Sequence, residues 1–153
     1  MEESDIDSLK EREDVKILMD AGFQFPYDEY SKIHESIRTY RFGHDVENEE
    51  FKNHETTYTQ RYKNTDEKLP PEPFNTCALS CFTSEEAAEA KLQTYIRVRK
   101  NIRLRMGNSL FIGTLLRDHG FVSDLDDDTH FNFFQKECCN MHDVFQLHRV
   151  LSR

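Results

Sequence analysis

Several residue types and motifs are scarce or missing in this chain of 153 residues. Tryptophan is absent, and glycine occurs only five times. Neither G-x-x-x-x-G-K-S/T nor G-x-G-x-x-G occurs, so a glycine-rich loop that cradles phosphate is not expected. The G-x-S-x-G motif of the nucleophile elbow is missing as well. The sequence therefore lacks the usual signatures of a nucleotide-binding loop and of a serine hydrolase.

Long apolar runs are also missing. Residues 1–10 are mostly charged or polar and do not resemble the apolar core of a signal peptide. No segment approaches the roughly 20 apolar residues that a membrane span needs. We therefore expect a cytoplasmic protein that does not contact a membrane.

Positive charge is in short supply. Lys and Arg together number 20 against 29 Asp and Glu, which gives a formal net charge of -9 at pH 7. An acidic surface repels phosphate backbones and anionic lipids, so nonspecific nucleic-acid binding is not expected. The same charge would suit a basic protein partner.

The four cysteines do not form a typical metal knuckle. Cys77 and Cys81 have a ligand-like spacing but lie in an apolar run, where buried core thiols are the better interpretation. The group of Cys138, Cys139 and His142 is more suggestive of zinc. Reduced, inert thiols are favoured over zinc for the whole set, and no metal is expected.

An acidic run shortly before the last cysteines resembles the start of a calcium loop. Asp124, Asp126 and Asp128 match D-x-D-x-D. The match then fails, because Thr129 stands where the loop needs Gly and Gln135 stands where it needs Glu. An acidic surface turn is the better interpretation.

Aromatic residues, in contrast, are plentiful, with twelve Phe and six Tyr. They supply enough apolar area for a single domain over residues 1–153, of which residues 1–8 are expected to fray. An apolar stripe predicts a helix over residues 4–21 that ends at Gly22. Pro26 can open a second, short helix. The chain is therefore expected to begin with helices.

Strand patterns follow. Residues 63–75 form a Pro-rich loop, and residues 45–51 can form a short helix capped by Asp45. The tail at residues 143–151 suits either a strand or a helix. Apolar runs and alternating patterns predict strands over residues 37–43, 77–82, 109–117 and 129–135.

A long helix over residues 83–99 is the clearest helical pattern. Thr83 and Glu86 have the spacing of a capping box, and Ala88 and Leu92 begin its buried face. The predicted class is therefore α+β, with N-terminal helices followed by a small, mainly antiparallel sheet that packs on this helix.

Three of these segments carry residues that could do chemistry. Arg41 lies in an aromatic strand ("TYRFG"), Ser80 in a strand that ends in Thr and Ser ("ALSCFTS"), and Glu137 follows another aromatic strand ("HFNFFQKE"). This order resembles the arginine, serine and glutamate order of ADP-ribosyltransferase folds. Gln135 and Glu137 also match that family's Q-x-E pattern, whereas "SCFTS" departs from its usual S-T-S.

The resemblance implies a role for each residue. Arg41 would grip a phosphate of NAD, because a guanidinium offers a fork of donors to pyrophosphate. Ser80 would line the nicotinamide pocket, and Thr83, three residues later, is counted with Arg41 and Ser80 among the cofactor-binding residues. Glu137 would stabilise the developing ribosyl cation as the catalytic carboxylate. NAD is therefore the expected cofactor.

A second resemblance names no activity. The segment "LSCFTSEEAA" and the later "THFNFF" are similar to a group of small uncharacterised bacterial proteins with an "LSxFxxxExA" segment. It draws attention to His130, because a strand-end histidine beside Ser80 could act as a base or a hydrogen-bond donor. A satisfied core histidine is the favoured alternative.

Two functions follow from these patterns. The first is a small ADP-ribosyltransferase-like enzyme that uses NAD, of the kind found as bacterial toxins or in phage defence. The second is an acidic binding module, such as an antitoxin, immunity protein or complex subunit. In that case Phe51, Tyr58 and Tyr62 would be aromatic anchors for a basic partner, with core packing as the alternative.

Overall fold

The computed structural model describes residues 2–47, 52–98, 106–137 and 139–151, which form an α+β fold with one antiparallel sheet. The strands are β1 (Tyr30–Lys32), β2 (Ile37–Gly43), β3 (Leu79–Phe82), β4 (Ser109–Leu115), β5 (Gly120–Ser123), β6 (His130–Gln135) and β7 (Phe145–Val150). The α-helices are α1 (Glu3–Lys10), α2 (Glu13–Asp20), α3 (Glu85–Val98) and α4 (Met141–Val144). The predicted fold class is therefore confirmed.

The sheet is continuous on one side of β2 and opens on the other. Its strand order is β1-β5-β6-β3-β2-β4-β7. β2 and β4 pair along seven residues, from Ile37 opposite Leu115 to Gly43 opposite Ser109. β2 and β3, in contrast, share the single pair of Tyr40 and Phe82. Because the two strands separate beyond that pair, we call the gap between Arg41–Gly43 and Ala78–Ser80 the split.

Strand β2 has the predicted bounds, Ile37–Gly43. Tyr40 lies opposite Phe82 and Ile112, so Tyr40 and Phe42 share one face while Arg41 points to the other. β4 lies between β2 and β7, and its mostly buried residues suit a central strand.

The two faces of the sheet differ in what covers them. We call the side that carries Ser80, Phe82 and His130 the helix face, and the opposite side, which carries Leu79 and Cys81, the rear face. On the rear face a single apolar cluster is closed by α4 and by the residue after β1. Its fully buried members include Ile33, Leu79, Cys81, Leu115, Phe131, Phe133 and Met141.

The helix face holds two separate apolar clusters. The long helix α3 contributes one cluster, formed by Ala88, Leu92, Tyr40, Phe82 and Leu110. The N-terminal helices contribute the other, which includes Leu9, Val15, Leu18, Phe25, Phe121 and Phe134. Between Phe82 and Phe134 this face carries the polar side chains of Ser80, His130 and Asn132. We call these three residues the polar strip.

The predicted N-terminal helix is interrupted at Arg12. The chain forms α1 and α2 separately, because Arg12 turns into the interior instead of continuing the helix surface. Its guanidinium donates to the carbonyl oxygens of Cys77 and Gln135 and pairs with Asp14 at 2.5 Å. A buried guanidinium needs these partners. Gly22 follows α2 with φ +98°, a conformation that suits glycine.

The predicted helix after Pro26 is wrong. A single 3₁₀ turn, Tyr27–Glu29, leads directly into β1. Tyr30 pairs with Ser123 in the sheet, and Ile33 is buried in the rear-face cluster. Burial against two different parts of the core therefore outweighs the local helical pattern.

The predicted capping box at Thr83 and Glu86 is also wrong, by one residue. The Ser84 hydroxyl accepts a hydrogen bond from the Ala87 amide at 3.2 Å, so Ser84 caps α3. The Thr83 amide instead donates to the Thr129 carbonyl at 3.1 Å. Thr83 therefore prolongs the contact between β3 and the turn before β6, and the helix begins at Glu85.

Short helical segments precede two further strands. Strand β3 begins at Leu79 because Pro73–Cys77 forms a 3₁₀ turn, and the tail of the chain forms α4 followed by β7. Residues 48–51, which complete the predicted helix after Asp45, lie outside the described part of the chain. Within the described ranges, none of the helices combines the length and apolarity of a membrane span.

The two edges of the sheet are built differently. β1, at one edge, has three residues. β7, at the other edge, is tied to α3 by two side-chain contacts: His148 Nε2 lies 2.5 Å from a Glu85 carboxylate oxygen, and Arg149 forms an ion pair with Glu89.

Candidate functional site

Ser80 is the exposed residue of a strand that is otherwise buried. Leu79, Cys81 and Phe82 are all buried, whereas Ser80 stands in the polar strip. Ser80 lies opposite Asn132, and Phe82 lies opposite His130, so the antiparallel register places His130 diagonally across from the serine. The Ser80 Oγ is 2.5 Å from His130 Nε2.

Asp126 lies on the far side of His130. Its Oδ1 accepts hydrogen bonds from the amides of Asp128 at 2.8 Å and His130 at 2.9 Å, and its Oδ2 is 3.5 Å from His130 Nδ1. The amide of His130, above all, lowers the pKa of Asp126, so this carboxyl group is ionised near neutral pH. Thr129, with φ +63°, completes the turn that brings Asp126 beneath the ring.

His130 is held neutral, and its orientation suits a base. Burial lowers its pKa, and the charge of Asp126 offsets part of that effect. A carboxylate beside Nδ1 favours the tautomer with its proton there, which leaves the Nε2 lone pair directed at the Ser80 hydroxyl. Ser80, His130 and Asp126 thus have the contacts of a serine, its base and the carboxylate that orients the base.

Arg41 reaches Ser80 from the rear face, through the split. It is 7% exposed, and its Nη1 donates to the Ser80 carbonyl oxygen at 2.5 Å. The N–H and C=O groups of one strand residue point to the same side. Because Arg41 binds the Ser80 carbonyl in the split, the Ser80 amide also faces the split, while its hydroxyl stands on the helix face.

His54 fixes the guanidinium of Arg41. Its Nδ1 accepts from Arg41 Nε at 3.3 Å, and its ring stacks on Phe145 at 5.1 Å and contacts Phe111 edge-on. Burial, followed by the charge of Arg41, lowers the pKa of His54 to about 3, so the ring is a neutral acceptor. His54 lies in a loop 13 positions after Arg41, and its sequence position alone does not predict this contact.

Two cavities meet at Ser80. The first, of about 190 Å³, occupies the split and is lined by Arg41, His54 and Asn132 among others. The second, of about 180 Å³, lies on the helix face. Its walls combine three aromatic rings with four charged or titratable side chains, namely Phe42, Phe82, Tyr95, Lys91, Asp126, Asp128 and His130. Ser80 lies in the wall of both.

The structure brings together some of the predicted site residues and separates others. Arg41, Ser80 and His130 meet at the split and the polar strip. Thr83 holds the turn that carries Asp126 through its bond to Thr129.

Glu137 lies elsewhere. It is exposed beyond the C-terminal end of β6 and lines a separate cavity with Arg12 and Tyr58. Among the described residues that wall the two cavities at Ser80, Glu137 does not occur.

Asp126 is the residue that the sequence interpretation missed. It belongs to the acidic run that resembles the start of a calcium loop. The signal that could have identified it is its position four residues before His130, on the turn that starts β6.

The predicted aromatic anchors are only partly described. Tyr58 is buried in the N-terminal cluster, so its assignment as an exposed anchor is wrong, and Tyr62 packs against the same cluster. Phe51 lies outside the described residues. A basic partner for the acidic surface therefore stays a prediction.

The cysteines are core or loop residues where they are described. Burial raises the pKa of Cys77 to about 12 and also raises that of Cys81, so both are inert thiols near neutral pH. The structure groups no three His, Cys, Asp or Glu residues in metal-binding geometry within the described ranges. Cys138 lies outside them, and His142 pairs with Glu47 at 3.0 Å.

Known proteins offer no direct guide to this site. Comparison with protein-family models, curated proteins and solved structures gives no match for this chain. Its function must therefore be inferred from the chemistry that surrounds Ser80.

Proposed function

We propose that this protein transfers ADP-ribose from NAD, with its reaction centre at Ser80. One observation carries the proposal: Arg41 and Ser80 meet where the sheet opens, and a carboxylate–histidine pair stands on the other side of the serine. The arginine and serine of the expected order therefore face a common cleft. Asp126 takes the role of the carboxylate in place of Glu137.

The helix-face cavity suits a nicotinamide ring. The ring centroids of Phe42 and Phe82 lie 5.4 Å apart, and the ring planes form an angle of 33°. Tyr95 lines the same cavity. Flat aromatic walls bind a planar, electron-poor ring by stacking. A volume of about 180 Å³ is small and fits one ring better than a whole dinucleotide.

The remainder of NAD would extend into the split. Arg41 and Lys52 line that cavity together with one carboxylate, Glu55, so its two cations exceed its single acid and supply N–H donors for a pyrophosphate. Arg41 also fixes the main chain of Ser80, which keeps the position of the serine constant relative to the bound phosphate.

The chemistry requires a negative charge and a base. When the bond between the ribose C1′ and the nicotinamide nitrogen breaks, the ribose acquires positive charge, which the ionised Asp126 stabilises. Nicotinamide leaves as a neutral molecule and keeps the electron pair of the broken bond. The acceptor then forms a bond to C1′, and its proton passes to the neutral His130.

The test compares two carboxylates. Wild-type protein is expected to release nicotinamide from NAD, and Asp126→Asn should slow the release by about a hundredfold, because one stabilising charge is lost. Glu137→Gln, the matched control, should leave the rate unchanged. Nicotinamide release is measured by chromatography at saturating NAD. A large loss in the Glu137 variant together with an active Asp126 variant would contradict the assignment.

Binding is tested separately. Millimolar NAD should raise the melting temperature of the wild-type protein, because a ligand that binds the folded state stabilises it. Arg41→Met should abolish this shift, whereas Arg38→Met, an exposed arginine of the same strand, should retain it. If NAD leaves the melting temperature of the wild-type protein unchanged, the proposal fails. A role as a toxin or effector in bacterial defence would follow from this activity.

A further inference from the structure

The serine of the polar strip has the surroundings of a nucleophile as well as those of a pocket wall. Ser80 is exposed, whereas the other three residues of β3 are buried. Its Oγ lies 2.5 Å from the nitrogen of a neutral histidine, and that histidine is itself oriented by an ionised carboxylate. A hydroxyl hydrogen-bonded to an oriented, neutral base is the arrangement that makes serine reactive.

Three other serines do not share these contacts. Ser84 caps α3, and Ser109 is fully buried. Ser123 is occupied in a different way, because its hydroxyl donates to the Asp124 carbonyl and accepts from the Asn132 amide. Of these four serines, Ser80 is the one whose hydroxyl is bonded to a histidine.

The position of Ser80 is also fixed. Arg41 binds its carbonyl oxygen, and the pairing of β3 with β6 over four residues holds the strand beside His130. The hydroxyl opens onto the aromatic cavity. A reactive group that is held in one place, next to a cavity, loses little entropy when a bound electrophile approaches.

We propose that Ser80 is itself a nucleophile and that it accepts the ADP-ribosyl group from NAD as a covalent adduct. This inference rests on the proposed function for its substrate. In the step, the Ser80 Oγ forms a bond to the ribose C1′ while the bond from C1′ to the nicotinamide nitrogen breaks. The hydroxyl proton passes to His130 Nε2 and then to solvent, and nicotinamide departs as a neutral molecule with the bonding electron pair.

A covalent adduct on Ser80 would divide the transfer into two half-reactions. An adduct on Ser80 would retain the ADP-ribosyl group after nicotinamide has left, and water or a second hydroxyl would release it. Asp126 would stabilise the ribose charge in both halves of the reaction, while His130 would alternate between base and acid.

The experiment has two arms on the full chain. In the first, the protein is incubated with NAD, quenched within one turnover, and examined by intact mass and peptide mapping, together with nicotinamide release. In the second, it is treated without NAD with a fluorophosphonate, which labels activated serines. Both arms are expected to modify Ser80. Ser80→Ala should abolish modification, Ser36→Ala (an exposed serine) should have no effect, and His130→Gln should slow it by about a hundredfold.

The outcomes separate this inference from the proposed function. If nicotinamide is released while neither reagent modifies Ser80, the serine is not a nucleophile and NAD use stands. If the fluorophosphonate labels Ser80 but NAD is neither bound nor consumed, the nucleophile stands and its assigned substrate is wrong. No modification and no nicotinamide release, in a variant series with unchanged melting temperatures, overturns both.

Discussion

Strand β2 has two neighbours in the sheet, and it pairs with them very differently. With β4 it forms seven residue pairs, and with β3 it forms one. On the β4 side the backbone groups of the two strands satisfy each other, and the side chains are left to build the core. On the β3 side the carbonyl oxygen of Ser80 accepts a hydrogen bond from the side chain of Arg41 instead. The proposed reactive site therefore lies where a side chain has replaced a ladder of backbone hydrogen bonds.

The largest effect is expected on the continuous side. Gly107 has φ +102°, and a Cβ placed there would lie 1.9 Å from the Gly43 carbonyl oxygen at the end of β2. Gly107→Ala should therefore lower the unfolding free energy by about 4 kcal/mol, because neither backbone can yield. The measurement is urea denaturation.

Gly22→Ala is the matched control. Gly22 has a similar φ of +98°, but nothing lies within 4 Å of the added carbon. The Gly22→Ala variant should lose only about 1 kcal/mol of unfolding free energy, which is the cost of placing alanine at a positive φ. Equal losses at the two glycines would show that the contact with Gly43 is unimportant.

A smaller loss is expected on the open side. Arg41→Met removes the guanidinium that donates hydrogen bonds to the Ser80 carbonyl oxygen and to His54 Nδ1, while keeping much of the side-chain volume. We expect the unfolding free energy to fall by about 3 kcal/mol, because the buried His54 Nδ1 and the partly buried Ser80 carbonyl are left without this donor. Arg38→Met, at an exposed residue of the same strand, should change it by less than about 0.5 kcal/mol. An Arg41 variant as stable as wild type would show that the hydrogen bond from Arg41 to the Ser80 carbonyl is not needed where β2 and β3 stop pairing.

The third prediction concerns pH. The pKa of His54 is about 3 in the folded protein and about 6.5 when unfolded, so the unfolded state binds more protons between these values. Stability must therefore fall as pH decreases through this window. His54→Asn keeps an acceptor near Nδ1, tolerates the φ of +61° and does not titrate.

Between about pH 6.5 and pH 5, wild type should lose about 1.5 kcal/mol more than the Asn variant. The measurement is urea denaturation at each pH, and the difference between the two proteins cancels groups that titrate in both. Parallel pH profiles would show that His54 is not held neutral against Arg41.

The smallest effect is expected at the outer end of the continuous side. Glu85→Gln weakens the ion pair of α3 with Arg149 on β7, whose Nη1 lies 3.6 Å from a Glu85 carboxylate oxygen. Because both partners are partly exposed, the loss should be about 0.5 kcal/mol at low salt. It should vanish in denaturation experiments at high salt, since salt screens surface charges. A loss that persists there would indicate packing instead of charge.

Local patterns predicted the strands β2, β3, β4 and β6, whereas β1 was expected as a helix and the tail that forms β7 was left open between strand and helix. The alternation of "IRTYRFG" and "HFNFFQ" predicts β2 and β6, because a sheet with one buried face repeats every two residues. The predicted helix boundaries are wrong where contacts between distant parts of the chain determine the local structure. Arg12 breaks the first helix by binding carbonyls far along the chain, and Thr83 is drawn to Thr129 instead of capping α3.

The site was predictable in part for the same reason. The order of Arg41 and Ser80 along the chain is visible in the sequence. Which end of β6 lies near Ser80, however, depends on the register between β3 and β6, which the sequence does not show. Because β3 and β6 are antiparallel, the residues at the start of β6 lie beside Ser80. His130 and Asp126 are therefore in the site, and Glu137, which follows the strand, is not.

The edges of the sheet have a consequence for self-association. An open strand edge offers unpaired backbone groups to any passing chain, which is a common route to aggregation. At one end of this sheet β1 is too short, at three residues, to act as an extended template. At the other end, Arg149 brings charge to β7, and the contacts of His148 and Arg149 with α3 hold this strand against the helix. Substitutions that remove these contacts with α3 would make β7 the edge at which two copies of the chain associate first.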